Sequence, residues 1–98
     1  MQSQINVGIA GYGIVGKKRR ECINKNQHMN LVAVCDRNFK TSGKFDDGVY
    51  FYSDYNDLLD HGIDALFVCL TNDVAAEVTI AGLSAGLHVF CEKPPGQN

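Results

Sequence analysis

The sequence lacks a strong excess of charge, a long apolar run and any closely spaced pair of cysteines. Its 98 residues carry a formal net charge of −2, so bulk electrostatics give no support for binding to nucleic acid. No apolar run reaches the roughly 18–20 residues of a membrane span, and the N-terminus lacks the layout of a signal peptide. We therefore expect one cytoplasmic domain with neither a nucleic-acid nor a membrane partner.

Four cysteines are spread along the chain without a Cys-x-x-Cys pair: Cys22, Cys35, Cys69 and Cys91. Most of them lie in apolar segments, where a free thiol packs as a small hydrophobic side chain. Their spacing favours neither a disulfide framework nor a zinc site. We interpret them as structural residues and expect no metal site.

Near the N-terminus the sequence does contain a glycine-rich turn, which follows an apolar strand and precedes a helical pattern. Gly11, Gly13 and Gly16 form Gly-x-Gly-x-x-Gly, and Asp36 follows at the end of the next apolar run. This spacing predicts a dinucleotide site, because such glycines make the tight turn, admit the diphosphate and let the helix pack on the strand. The start of the helix attracts an anion, and the acidic side chain can reach the ribose hydroxyls.

Four nearly continuous apolar runs predict parallel strands that are covered by helices on both faces. The predicted strands are Val7–Ala10, Leu31–Cys35, Ala65–Leu70 and Val89–Cys91, with an edge strand at Val49–Tyr52 and helices at about 14–25, 54–60 and 73–85. This order predicts an α/β fold with a doubly wound parallel sheet, the Rossmann fold, and strand order 3-2-1-4-5. A ligand is expected at the carboxyl ends of the strands, where the order reverses. The segment 38–48 is predicted to be a polar loop.

Two further features concern the predicted helices. The last helix is expected to start after Asn72 as its N-cap and to bury one face, which carries Val74, Val78, Ala81 and Ala85. The basic run 17–20 lies in the first turns of the first helix, where cations oppose the helix dipole. We interpret that run as a solvated helix face; a secondary role in attracting an anionic cofactor or substrate is the alternative.

The second half of the chain carries motifs that point to a family. Thr71 and Asn72 directly follow the third main apolar run, Ala65–Leu70, and Glu92-Lys93-Pro94 follows the last. With the glycine turn, these motifs closely resemble the Gfo/Idh/MocA family of NAD(P)-dependent oxidoreductases in order and spacing. The resemblance covers essentially the whole chain. It implies that residues 1–98 are an NAD(P)-binding Rossmann domain and that the family's second, substrate-binding domain is absent from this chain.

The resemblance also implies the residues of the site. The expected cofactor-binding residues are Gly11, Tyr12, Gly13, Ile14, Val15, Gly16, Asp36, Arg37, Leu70, Thr71, Asn72, Glu92, Lys93 and Pro94. In the family, the residue matching Glu92 lies near the nicotinamide ribose, and the proline matching Pro94 often follows a cis peptide bond. The lysine matching Lys93 points into the substrate cleft, where it can bind the reacting oxygen, so Lys93 is the expected catalytic residue. Two positions depart from the family pattern, Thr71 in place of proline and Ala75 in place of histidine.

The expected cofactor is NAD, because Asp36 places a negative charge where the 2′-phosphate of NADP would lie. Arg37 can stack on the adenine or pair with that phosphate, so NADP stays an alternative.

The expected function is hydride transfer between the nicotinamide and a sugar, cyclitol or similar hydroxyl substrate in a full-length protein, with this chain inactive alone. A dinucleotide-sensing regulator that binds a protein partner is the alternative, and a related reductase acting on an imine or tetrapyrrole is a third interpretation. Whether the protein forms a homo-oligomer stays open.

Overall fold

The computed structural model describes residues 4–70 and 72–91. The chain folds into β1 (Ile5–Ala10), α1 (Ile14–Asn24), β2 (Met29–Cys35), β3 (Gly43–Lys44), β4 (Tyr50–Tyr52), α2 (Tyr55–Leu59), β5 (Ala65–Val68), α3 (Asn72–Ser84) and β6 (His88–Cys91). The predicted α/β fold is therefore confirmed, and each predicted strand and helix is present with bounds that differ by at most two residues. Helix α3 includes Asn72, which was predicted to precede the helix as its N-cap.

The strands form one six-stranded sheet with the order β3-β4-β2-β1-β5-β6. All neighbouring pairs are parallel except β3 and β4, which pair antiparallel through Gly43 with Phe51 and Lys44 with Tyr50. The predicted order of the five main strands is confirmed. Two expectations were wrong, because 38–48 contains the short strand β3, and β3 rather than the segment 49–52 forms that edge of the sheet.

The central strand β1 is buried on both faces, as expected for a doubly wound sheet. Val7 and Ile9 have no exposed surface and belong to a core beneath α1, which contributes Ile23. Ala10 belongs to a second core, which receives Leu58 from α2 and Val78 from α3. We call these the α1 face and the α2/α3 face of the sheet.

Aromatic rings explain why the segment between β2 and β4 is ordered rather than a plain polar loop. Phe39 and Phe45 pack against Phe51 of β4, with ring centroids 5.1 and 4.7 Å away. Tyr12 joins them from the glycine turn, 6.2 Å from Phe39 and 6.0 Å from Phe45. We call these four residues the aromatic cluster; it extends the core of the α1 face over the loop.

The helices on the opposite face follow local signals only in part. Asp54 caps α2, because its side chain accepts the Asn56 N–H at 2.8 Å. On α3 the predicted inner face was partly wrong, since Ala85 is exposed and Gly82 instead contacts the sheet. A glycine fits there because a Cβ would lie 3.0 Å from side-chain atoms of two strand residues. Among the helices of residues 4–70 and 72–91, none is long and apolar enough to cross a membrane.

Candidate dinucleotide site

The glycine turn joins the carboxyl ends of three neighbouring strands. The Gly11 N–H donates to the Cys35 carbonyl at the end of β2, and the Cys69 N–H after β5 donates to the Ala10 carbonyl, both at 2.8 Å. Gly11 has φ +97°, and a Cβ there would lie 2.7 Å from the Cys69 carbonyl oxygen. Only glycine satisfies both the backbone conformation and the close approach.

The other two glycines of the motif meet opposite surroundings. A Cβ on Gly16 would lie 2.0 Å from the Gly11 carbonyl oxygen, so the helix packs on the turn without room for a methyl group. At Gly13, by contrast, an ideal Cβ has no described atom within 4 Å. The structure therefore leaves open space beside the middle glycine, where a dinucleotide-binding turn admits the diphosphate.

Helix α1 presents a free amino end to that space. Its N-cap is Gly13, which offers no side-chain hydrogen bond, and its first turn contains no acidic residue. The side chain of Ile14 at the first helical position is 78% exposed. Since the first N–H groups of a helix have no intrahelical partner and carry the positive end of its dipole, this end suits an anionic ligand.

A cavity of about 240 Å³ lies beside the turn, at the carboxyl ends of β1, β2 and β5. Its lining residues are Gly11, Gly13, Cys35, Asp36, Arg37, Asn38, Ser53, Tyr55, Cys69, Leu70, Val74 and Val78. The cavity thus combines the open side of the turn with an acidic residue and several apolar walls, the composition expected of a small-molecule site.

The carboxylate of Asp36 is held in one orientation by two backbone groups. The Tyr12 N–H donates to Oδ2 at 2.8 Å, and the Asn38 N–H donates to Oδ1 at 2.9 Å. A carboxylate oxygen accepts two hydrogen bonds, so each oxygen retains capacity for a ligand hydroxyl. The neighbouring Arg37 is exposed and also lines the cavity.

Residues of α2 and α3 form one wall of the cavity. The Tyr55 hydroxyl donates to Oε2 of Glu77 at 2.7 Å, and this hydrogen bond raises the pKa of Tyr55 above its ordinary value. Val74 and Val78 add apolar surface from α3, and Val74 is 37% exposed at the cavity although it was predicted to lie on the buried face.

The sequence-predicted site residues separate into three groups. Those that line the cavity are Gly11, Gly13, Asp36, Arg37 and Leu70. A second group lies in or beside the turn but does not line the cavity: Tyr12, Ile14, Val15 and Gly16. The Tyr12 ring packs in the aromatic cluster instead. Thr71, Glu92, Lys93, Pro94 and the side chain of Asn72 lie outside the described residues, so their roles stay predictions.

The sequence analysis did not predict several of the residues that line the cavity: Cys35, Asn38, Ser53, Tyr55, Cys69, Val74 and Val78. A general signal was available for Cys35, Ser53 and Cys69, because each lies at or next to the carboxyl end of a predicted strand, and ligands bind at that edge. The two valines gave no such signal, since apolar residues at helical spacing also predict a buried helix face.

The comparisons with known proteins agree with this geometry. A family model described as the oxidoreductase family, NAD-binding Rossmann fold, Gfo/Idh/MocA, matches residues 5–98. The chain belongs to this family. The family is NAD-binding, and the resemblance stated from the motifs is confirmed.

Among similar proteins, an uncharacterized oxidoreductase of Bacillus subtilis, YrbE, is 38% identical over 98 residues, which cover 96% of this chain and 29% of that protein. The crystal structure of D-galactose-1-dehydrogenase from Rhizobium etli superposes with a TM-score of 0.80 at 35% identity, covering 98% of this chain and 30% of that one. Scyllo-inositol dehydrogenase from Lactobacillus casei, with bound NAD(H) and scyllo-inositol, gives 0.77 at 30% identity, covering 98% and 30%. The chain therefore spans about 30% of the length of these relatives.

Proposed function

We propose that residues 1–98 form a cofactor-binding domain that holds NAD at the carboxyl edge of the sheet. The diphosphate is assigned to the open side of Gly13 and the uncapped end of α1, and the adenosine ribose to Asp36. The observation that carries this assignment is that one cavity unites the open glycine turn with an oriented carboxylate whose oxygens retain acceptor capacity.

Titration of NAD and of NADP on the chain tests the assignment. We expect NAD to bind more tightly, because the Asp36 carboxylate would face the 2′-phosphate of NADP. Two unit charges about 4 Å apart repel by roughly 4 kcal/mol at an effective dielectric constant of 20. Tighter binding of NADP would show that Arg37, rather than the carboxylate, governs the adenosine end.

For the longer protein to which such a domain belongs, the proposal is an oxidoreductase that acts on a sugar, cyclitol or similar hydroxyl substrate. The support is the similarity to a galactose dehydrogenase and to an inositol dehydrogenase. Bound NAD supplies the hydride acceptor in such enzymes. The protein's own contribution would be Lys93, which is expected to hydrogen-bond the reacting oxygen and to stabilise its negative charge.

The corresponding experiment replaces Lys93 with alanine in the full-length protein. Loss of one charge-stabilising donor lowers the rate by about 10²–10³ while NAD affinity stays nearly unchanged. Near-normal turnover by the variant would mean that Lys93 is structural. If the unmodified full-length protein binds NAD but reduces it with no polyol, the sensor interpretation replaces the dehydrogenase.

A further inference from the structure

The basic run at the start of α1 is not one solvated face, as the sequence suggested. Lys17 and Lys18 are exposed, but Arg20 is turned toward the protein and its side chain is only 18% exposed. Its guanidinium contacts two groups from different parts of the chain. Nη1 donates to the Tyr12 hydroxyl at 2.7 Å, and Nη2 pairs with Oδ2 of Asp47 in the loop between β3 and β4.

Asp47 is itself held by a backbone hydrogen bond. The Val49 N–H donates to Oδ1 of Asp47 at 3.0 Å. This hydrogen bond, together with Arg20, lowers the pKa of Asp47 below its ordinary value and so favours the charged carboxylate. The planar guanidinium presents several donors in a fixed arrangement, which allows it to bind the phenol and the carboxylate at once.

Tyr12 connects this network to the cavity without lining it. Its ring lies in the aromatic cluster, while its backbone N–H donates to Oδ2 of Asp36 at 2.8 Å. Because the ring and the N–H belong to the same residue, a displacement of Tyr12 would also move the N–H that orients the Asp36 carboxylate. Because a hydrogen bond weakens steeply with misalignment, a small rotation there would change how the carboxylate meets a ribose.

We propose that Arg20, held by Asp47, is a positioning residue for the Asp36 carboxylate and acts on it through Tyr12. The role rests on the proposed binding of NAD at this cavity. The proposal also gives Asp47 a role in ligand binding. Asp47 lies 27 positions from Arg20 in the sequence and does not line the cavity.

The test is a pair of thermodynamic cycles measured by calorimetric titration of NAD on the full chain. Tyr12→Phe deletes only the hydroxyl, and Arg20→Met deletes the guanidinium while keeping an unbranched side chain. Each is expected to weaken NAD binding about five-fold, the range of one lost hydrogen bond. Lys18→Met, which removes a charge from an exposed position of the same helix, is the matched control and should change the affinity less than two-fold.

The second arm repeats both substitutions in an Asp36→Ala background. If Arg20 and Tyr12 act through the carboxylate, their effects disappear there, whereas a merely structural role would persist undiminished. Unfolding in urea, followed for every variant, identifies any loss that reflects unfolded protein, and Tyr12→Phe remains informative if Arg20→Met does not fold.

The outcomes distinguish the two levels of the proposal. NAD binding that is unchanged in Tyr12→Phe and Arg20→Met, or lowered equally in both backgrounds, would overturn the positioning role and leave the proposed function intact. No binding of NAD by the unmodified chain would overturn the proposed function itself, and the positioning role with it.

Discussion

The two faces of the sheet differ most at the edge where the strands β1, β2 and β5 end. On the α1 face, the rings of Tyr12, Phe39 and Phe45 pack against one another at that edge and against the core. On the α2/α3 face, the strands end in the small side chains of Ala10 and Cys35, and the cavity lies beside them. At this edge we call the ring-filled α1 face the closed face, and the α2/α3 face, which borders the cavity, the open face.

The two faces are therefore expected to contribute to different properties, one to the stability of the fold and the other to ligand binding. The closed face packs α1 and the loop on the sheet, so substitutions there, apart from those proposed to act on Asp36 through Tyr12, should chiefly change the free energy of unfolding. The open face supplies the walls of the cavity, so substitutions there should chiefly change ligand affinity. Gly16 and Gly13, three residues apart in one motif, lie on the two sides of this division.

The largest expected effect is that of Gly16→Ala on the closed side. Its methyl group would lie 2.0 Å from the Gly11 carbonyl oxygen, which belongs to the backbone and has little freedom to move. We expect the free energy of unfolding in urea to fall by about 3 kcal/mol, the upper part of the range for overpacking. Gly13→Ala is the matched control and should cost less than about 1 kcal/mol. Equal losses of unfolding free energy in the two variants would contradict the distinction between the closed and the open face.

The second prediction concerns Gly13→Val on the open side. A Cβ at this position has no described atom within 4 Å, so we expect the fold to persist, but the added side chain fills the space assigned to the diphosphate. A clash that costs about 2 kcal/mol would lower NAD affinity about 30-fold in a calorimetric titration. A folded variant that binds NAD as tightly as the unmodified chain would refute the role assigned to this turn.

The third prediction addresses Asp36, whose carboxylate is oriented from the closed face and borders the cavity. Asp36→Ala removes a charged acceptor, and we expect NAD affinity to fall about 10-fold, a typical loss for a hydrogen bond to a charged group. Because the negative charge is also lost, the preference for NAD over NADP should narrow. Titration with both dinucleotides measures the two effects together, and an unchanged preference would speak against the charge argument.

The smallest expected effect near neutral pH concerns Cys35 in the wall of the cavity. Burial raises the pKa of its thiol from 9.0 to about 12, so the folded protein favours the protonated form. The resulting stability is fully present below the ordinary pKa and is lost as the pH rises from about 9 toward 12. Urea unfolding of the unmodified chain and of Cys35→Ala between pH 8 and 11 should show a steeper decline for the unmodified chain. Parallel profiles would mean that the thiol is not shielded from water.

The sequence predicted those parts of the fold that depend on neighbours along the chain. The order of strands and helices followed from apolar periodicity, the end of β2 at Cys35 from the change to polar residues, and the glycine turn from its spacing. The cap of α2 is likewise a local contact, since the Asp54 side chain accepts the Asn56 N–H two residues on. By contrast, β3 spans only two residues and pairs with β4, and two residues are too few for an alternating apolar pattern to predict a strand.

The same distinction applies to the site. The sequence by itself determined that a glycine turn and Asp36 would meet at the carboxyl edge of a parallel sheet, because strand order and spacing place them there. Only the tertiary structure decided that the Tyr12 ring packs on the closed face, that Arg20 pairs with Asp47 and that Tyr55 of α2 contacts Glu77 of α3. These contacts join residues far apart in the chain, and their energies exist only once the elements are packed together.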